Sequence, residues 1–208
     1  VTSMQYMFYG ASSMNSNVGN WQVAKVTSLQ NTFENAAAFE GNGLETWVTT
    51  SLTTLQNAFV GATKLKANLG FWDVSKVVTM SQAFDGAAAF VGSGLDKWRT
   101  GLVTALDGTF AEAGLTTVDL GMWDVSKVTT MNGAFDGAAA FVGTGLDQWS
   151  TALVTDLTEM FFNAAKFVGY GLKSWNVAKV TAMTNVFDGT TSLAACNKYF
   201  IAKAWTAN

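Results

Sequence analysis

The sequence predicts an α/β repeat solenoid of eight coils of about 25–26 residues, each holding one short parallel strand and one short helix or 3₁₀ segment. Three observations predict it. Phenylalanine recurs at Phe8, Phe33, Phe59, Phe84, Phe110, Phe135, Phe161 and Phe187, in steps of 25 or 26 residues. Tryptophan keeps the same beat at Trp21, Trp47, Trp72, Trp98, Trp123, Trp149 and Trp175, with a displaced Trp205. Apolar residues hold fixed offsets from each Phe. Such an array is one stacked object, in which each coil buries its apolar face on the next.

The first element is read from those offsets. Seven residues before each Phe stands Val or Leu, four before it Met or Leu, and three after it Ala, except for Thr190 in the last coil. Offsets of −7, −4, 0 and +3 line one face of a helix. Thr at −6, from Thr2 to Thr181 with Val78 as the exception, reads as a helix N-cap. Gly or Asn at +2, with Glu112 the exception, reads as a left-handed helix end.

The second element lies before each Trp. Val18, Leu44, Leu69, Leu95, Leu120, Leu146 and Leu172 each precede a Trp by three residues, which reads as a short strand. Strands stacked about 4.8 Å apart would give eight coils a length on the order of 40 Å. Two coil types alternate. Trp21, Trp72, Trp123 and Trp175 precede QVAKV, DVSKV, DVSKV and NVAKV, whereas GNGL, GSGL and GTGL mark the intervening coils. The late GYGL breaks this order, since it precedes an NVAKV coil. Residues 1–189 form the solenoid. The segment 190–208 leaves the pattern, carries Lys198 and Lys203, and is expected to close the array as an amphipathic capping helix.

Composition narrows the function. Charged residues are 13% of the chain, against about 25% in ordinary proteins. Proline is absent and the net charge is −3. Low charge suits a surface covered by partners. Lys and Arg are scattered, without the basic stripe that nucleic-acid binding requires, so no nucleic-acid partner is expected. No apolar run approaches the roughly 18 residues of a membrane span. Val1 already stands in the −7 position, which predicts a processed or partial chain with further coils upstream.

Catalytic chemistry finds little to work with. Histidine is absent, which removes the usual general base and the commonest transition-metal ligand. Asp73 and Asp124, and Asp85, Asp136 and Asp188, recur two coils apart, about 10 Å by strand spacing, and read as solvated turn residues. The Gly-x-Gly pairs lack the continuation of a phosphate loop and read as turns. No catalytic, cofactor or metal site is expected. Cys196 stands alone and reads as a small buried cap residue, with an intermolecular bridge or a lipid attachment as the alternative. The Thr rank could order water as an ice-binding face does, but one Thr per coil with a capping role argues against that.

The string from Trp123 to Ala138, WDVSKVTTMNGAFDGA, resembles the BspA-like branch of the leucine-rich repeats, the Trp-Asp-Val-Ser type of bacterial and mycoplasmal surface proteins and of algal and protist arrays. The tail, with Cys196-Asn197-Lys198 and Ala204-Trp205, resembles the end of the algal arrays. The resemblance implies a right-handed leucine-rich-repeat-like solenoid, a cell-surface or extracellular location, and adhesion or protein–protein contact without a catalytic site. The chain departs from the common pattern in lacking a Phe-Asn-x-Asp segment before Trp, as in FVGSGLDKW.

The expected function is therefore a non-enzymatic protein–protein interaction or adhesion solenoid. The alternative is a structural subunit of a large assembly, docked peripherally on a membrane complex in an organelle lumen. Lys97, Arg99, Asp147 and Gln148, beside the tryptophans, are the candidate protein-binding face.

Overall fold

The structure is a computed structural model and describes residues 1–207. Its regular elements are few. Four 3₁₀ turns cover Leu44–Thr46, Leu95–Lys97, Leu146–Gln148 and Leu172–Ser174, and one helix, α1, covers Ala195–Trp205. Single parallel bridges join successive coils in an unbroken series from Ser3–Ser28 to Asp156–Ala182.

The residues expected to form a helix carry that bridge and a run of tight turns instead. The backbone N–H groups show why. Leu29, Asn31, Phe33 and Asn35 donate to the carbonyls of Thr54, Gln56, Ala58 and Val60 in the next coil, at 2.6–3.3 Å. The alternate residues Thr32, Glu34 and Ala36 donate three residues back, to Leu29, Asn31 and Phe33. Half the donors thus leave the segment, and an α-helix would keep them inside it. Each coil also places a left-handed residue at −2 as well as at +2, as in Asn31 and Asn35 (φ 55° and 59°), so no helical turn can propagate. A chain of three-residue turns brings the same side chains inward as a helix of similar period, so the spacing of apolar residues does not separate the two.

The expected strand is also corrected. Leu44, Leu95, Leu146 and Leu172 open 3₁₀ turns, each preceded by a left-handed Gly and closed by a bond from the Trp N–H to the Leu carbonyl. Positions i and i+3 eclipse in a 3₁₀ turn, which aims Leu and Trp inward together.

The Thr residues at −6 do not cap helices. From Thr27 to Thr181 each hydroxyl reaches along the stack, as Thr53 Oγ1 does to the Thr27 carbonyl at 2.9 Å and Thr155 Oγ1 to Thr129 at 3.0 Å. The same carbonyls accept the backbone N–H of those threonines.

The core consists of side-chain columns that run through successive coils. Phe33, Phe59, Phe84, Phe110, Phe135 and Phe161 are buried, with neighbouring rings 5.5–5.6 Å apart and near parallel. Trp47 to Trp175 are buried as well, and within this second series the pairs Trp47–Trp72, Trp98–Trp123 and Trp149–Trp175 stack with centroids 5.8–6.0 Å apart. Each indole N–H is satisfied by the preceding coil, as Trp98 Nε1 is by the Leu69 carbonyl at 3.0 Å. A third set of buried residues, Phe39, Leu65, Phe90, Phe141, Phe167 and Leu193, lies six residues after Phe33, Phe59, Phe84, Phe135, Phe161 and Phe187, with Leu115 five after Phe110, outside the expected register.

Glycine allows the two coil types to approach. Gly94 is left-handed at φ 88°, and a Cβ there would overlap the Gly70 backbone nitrogen of the coil before. Gly43 against Gly19 and Gly145 against Gly121 repeat the arrangement. At the far end, α1 buries Ile201 and stacks Trp205 on Trp175 at 6.3 Å. Cys196 is exposed on α1, contrary to the expected buried cap residue, because the helix turns Ile201 and Trp205 toward the coils. Among the described residues, no helix is long and apolar enough to cross a membrane.

A candidate protein-binding cleft

Of the four residues singled out in sequence, two come together. Asp147 and Gln148 end the 3₁₀ turn of the sixth coil and are exposed. Gln148 Nε2 donates to Asp147 Oδ2 at 2.6 Å. Both line a cleft of about 600 Å³ whose apolar lining includes Met122, Val142, Val168 and Tyr170. Asp147 and Tyr170 also border a second cleft of about 1110 Å³, between the seventh coil and α1, with Lys173, Phe200, Ile201 and Lys203.

Lys97 and Arg99 lie elsewhere. Lys97 is exposed in the fourth coil, with Nζ 5.6 Å from the centre of the Phe71 ring, which is 75% exposed. That is a cation–π contact. Arg99 is exposed just past the buried Trp98 and borders neither cleft.

A further cleft residue, Tyr170, lies in the GYGL string but outside the four residues singled out in sequence. It is 75% exposed between Gly169 and Gly171, both left-handed. The signal was present: sister coils carry Asn42, Ser93 or Thr144 at that place, and a large aromatic side chain between two glycines has no inward route. Met122 and Phe71 are similar intrusions, directly before an inward Trp.

A second surface gathers carboxylates. Asp85, Asp107, Glu112, Asp136 and Glu159 border one groove of about 340 Å³. Burial, then the charges of Glu112 and Asp136, push the Asp85 carboxyl above its ordinary range. Burial, then Glu159 and Glu112, do the same to Asp136. Glu112, in the coil between them, thus links two aspartates that lie two coils apart. Asp73 and Asp124 are held below the ordinary range by hydrogen bonds from Ser75 and Ser126, as turn residues are. Among the described residues, no group of side chains is arranged to hold a metal ion.

The family model described as "Mycoplasma protein of unknown function, DUF285" matches the chain three times, over residues 1–93, 27–142 and 80–200. Overlapping matches of this kind mark a repeat protein. No curated protein and no solved structure matches the chain.

Proposed function

We propose, from the premise that the chain belongs to the DUF285 family of Mycoplasma proteins of unknown function, that it is a non-enzymatic interaction protein acting through the Tyr170 cleft. Its coils read best as a leucine-rich-repeat-like solenoid of the BspA-like kind, with one parallel bridge and one tight turn or 3₁₀ segment each. A cell-surface or secreted location accompanies that reading. The observation that carries the function is the cleft itself: exposed aromatic and aliphatic side chains beside charged ones, on an array whose other apolar side chains are mostly consumed by coil-to-coil packing. Aromatic residues at a concave surface are typical anchors of protein interfaces. A chain without histidine also lacks the usual general base.

Exposed Phe71 and Tyr199, which line neither cleft, favour a second reading as a structural subunit of a larger assembly, docked on a membrane complex in an organelle lumen. One experiment addresses both. A photo-crosslinking amino acid at Gln148, or separately at Ser81 on the carboxylate-lined groove, is exposed to a surface fraction of source cells. Protein adducts formed at Gln148 and not at Ser81 support the cleft. Adducts at both positions, in a complex of fixed stoichiometry, support the assembly subunit. No protein adduct at either position overturns the interaction reading.

A further inference from the structure

The two clefts share Asp147 and Tyr170 and so make one trough, from the fifth coil across to α1. Its charges are sorted. Asp119 and Asp147 stand toward the fifth and sixth coils, and Lys173 and Lys203 toward α1. The acids are held in place: Asp119 Oδ1 accepts the Gly121 N–H at 2.8 Å, and Asp147 Oδ2 accepts from Gln148. Each leaves its second carboxylate oxygen for a partner. Neither lysine has a carboxylate partner among the described residues. Tyr170 lies where the two clefts meet, and Met122 and Phe200 stand beside the acids and the lysines respectively, all three exposed.

Size selects the class of occupant. Small-molecule sites run roughly 300–1,000 Å³ and bury most of their ligand. The larger cleft alone reaches about 1110 Å³, and the smaller one extends it. An open trough of that extent suits a segment of chain better than a compact ligand. Electrostatic complementarity then fixes its composition and direction.

We infer that the trough docks a short segment of a partner protein with an aromatic or aliphatic centre, a basic flank against Asp119 and Asp147, and an acidic flank against Lys173 and Lys203. The inference rests on the interaction reading above and adds the chemistry of the partner to it.

The test selects random peptides displayed on phage against the full chain, then measures synthetic copies of the enriched peptides by fluorescence polarisation. Enriched peptides are expected to carry one or two large apolar residues between a basic and an acidic flank. Tyr170→Glu should weaken their binding about tenfold or more. The side chain is 75% exposed, so a matching thermal melt can establish that the variant is folded. The double variant Lys173→Glu/Lys203→Glu should instead select peptides basic on both flanks. Enriched peptides that bind the Tyr170→Glu variant undiminished, or that carry no charge order, overturn the trough and leave the interaction reading standing. No enriched peptide on any surface overturns both. A free chain that sediments as a dimer, and as a monomer once Tyr170→Glu is introduced, assigns the trough to a second copy and overturns the inference.

Discussion

The indole N–H of Trp205 donates to the carbonyl of Leu172 at 2.8 Å, across 33 residues. Trp175 makes the same bond to Leu146 at 2.8 Å across 29 residues. A helix has taken the place of a half-coil and still delivers its tryptophan to the column. Trp205→Ala removes that bond and the contacts with Trp175 and Phe187. A fully buried Trp→Ala costs about 3–5 kcal/mol, so this half-buried one should cost about 2 kcal/mol. Hydrogen exchange should show amides of Ala195–Trp205 losing protection while those around Phe84 keep theirs. Protection unchanged in the helix would mean that Trp205 does not hold it.

In the middle of the array, Phe110→Ala should cost about 3–5 kcal/mol by denaturant unfolding, since the ring is buried and stacks between Phe84 and Phe135. A loss below about 1 kcal/mol would remove the Phe column from the core.

Two glycines separate conformation from contact. Gly10 is left-handed, and a Cβ there would meet nothing within 4 Å. Gly10→Ala should therefore cost only the left-handed penalty, about 1–2 kcal/mol. Gly94→Ala adds overlap with Gly70 and should cost clearly more. Equal melting-temperature shifts for the two would show that the coils part easily at Gly94.

The carboxylate groove sets a pH dependence. Asp85 and Asp136 have raised folded-state pKa values, so between the ordinary carboxylate range near pH 4 and their raised values the folded chain binds more protons than the unfolded one. Their contribution thus favours folding more as pH falls through that window. Asp73 and Asp124, with lowered values, lose their contribution only at lower pH, as it falls through their folded values. Asp85→Asn/Asp136→Asn should raise stability at pH 7 and flatten its rise on mild acidification. A stability difference between pH 7 and pH 5, by denaturant titration, that is unchanged in the double variant would show that burial and repulsion do not raise these carboxylates.

Glu112 combines a left-handed backbone, φ 51°, with a place between those aspartates. Glu112→Gly should stabilise the chain by about 0.5–1 kcal/mol, the left-handed cost less the extra chain entropy of glycine. It should also bring the Asp85 carboxyl closer to its ordinary range, as followed by carboxyl NMR titration. A destabilised variant would mean that the Glu112 side chain packs on Gly137, where a Cβ would lie 3.1 Å from Glu112 Cγ.

Much of the core was legible because inward positions repeat without insertion: Val77, Met80, Phe84 and Ala87 can be read straight off the chain, and all are buried. The left-handed turn at +2 was legible wherever Gly or Asn occupies it. Its twin at −2 is Gly or Asn in five coils but Tyr6, Gln82 and Glu159 in the other three, which have no preference for that conformation and are held there by bonds to the next coil, so the signal there is weaker. The Thr at −6 has a hydroxyl suited to a cap, and only the neighbouring coil shows that it bonds sideways. In the cleft, Asp147 and Gln148 could be named from their place beside Trp149, whereas α1, which supplies Phe200 and Lys203, reaches the cleft through folding back that no local pattern records.

The sixth and seventh coils both carry the Gly-x-Gly loop, so the alternation slips there by one coil. Gly171 then faces the backbone of Asp147, where Gly94 and Gly145 face another glycine. A perfectly periodic surface offers the same foothold again and again and cannot tell a visitor where to stop. One phase slip gives it a single address. Occupancy should accordingly saturate at one partner segment per chain, whatever the number of coils that precede the slip.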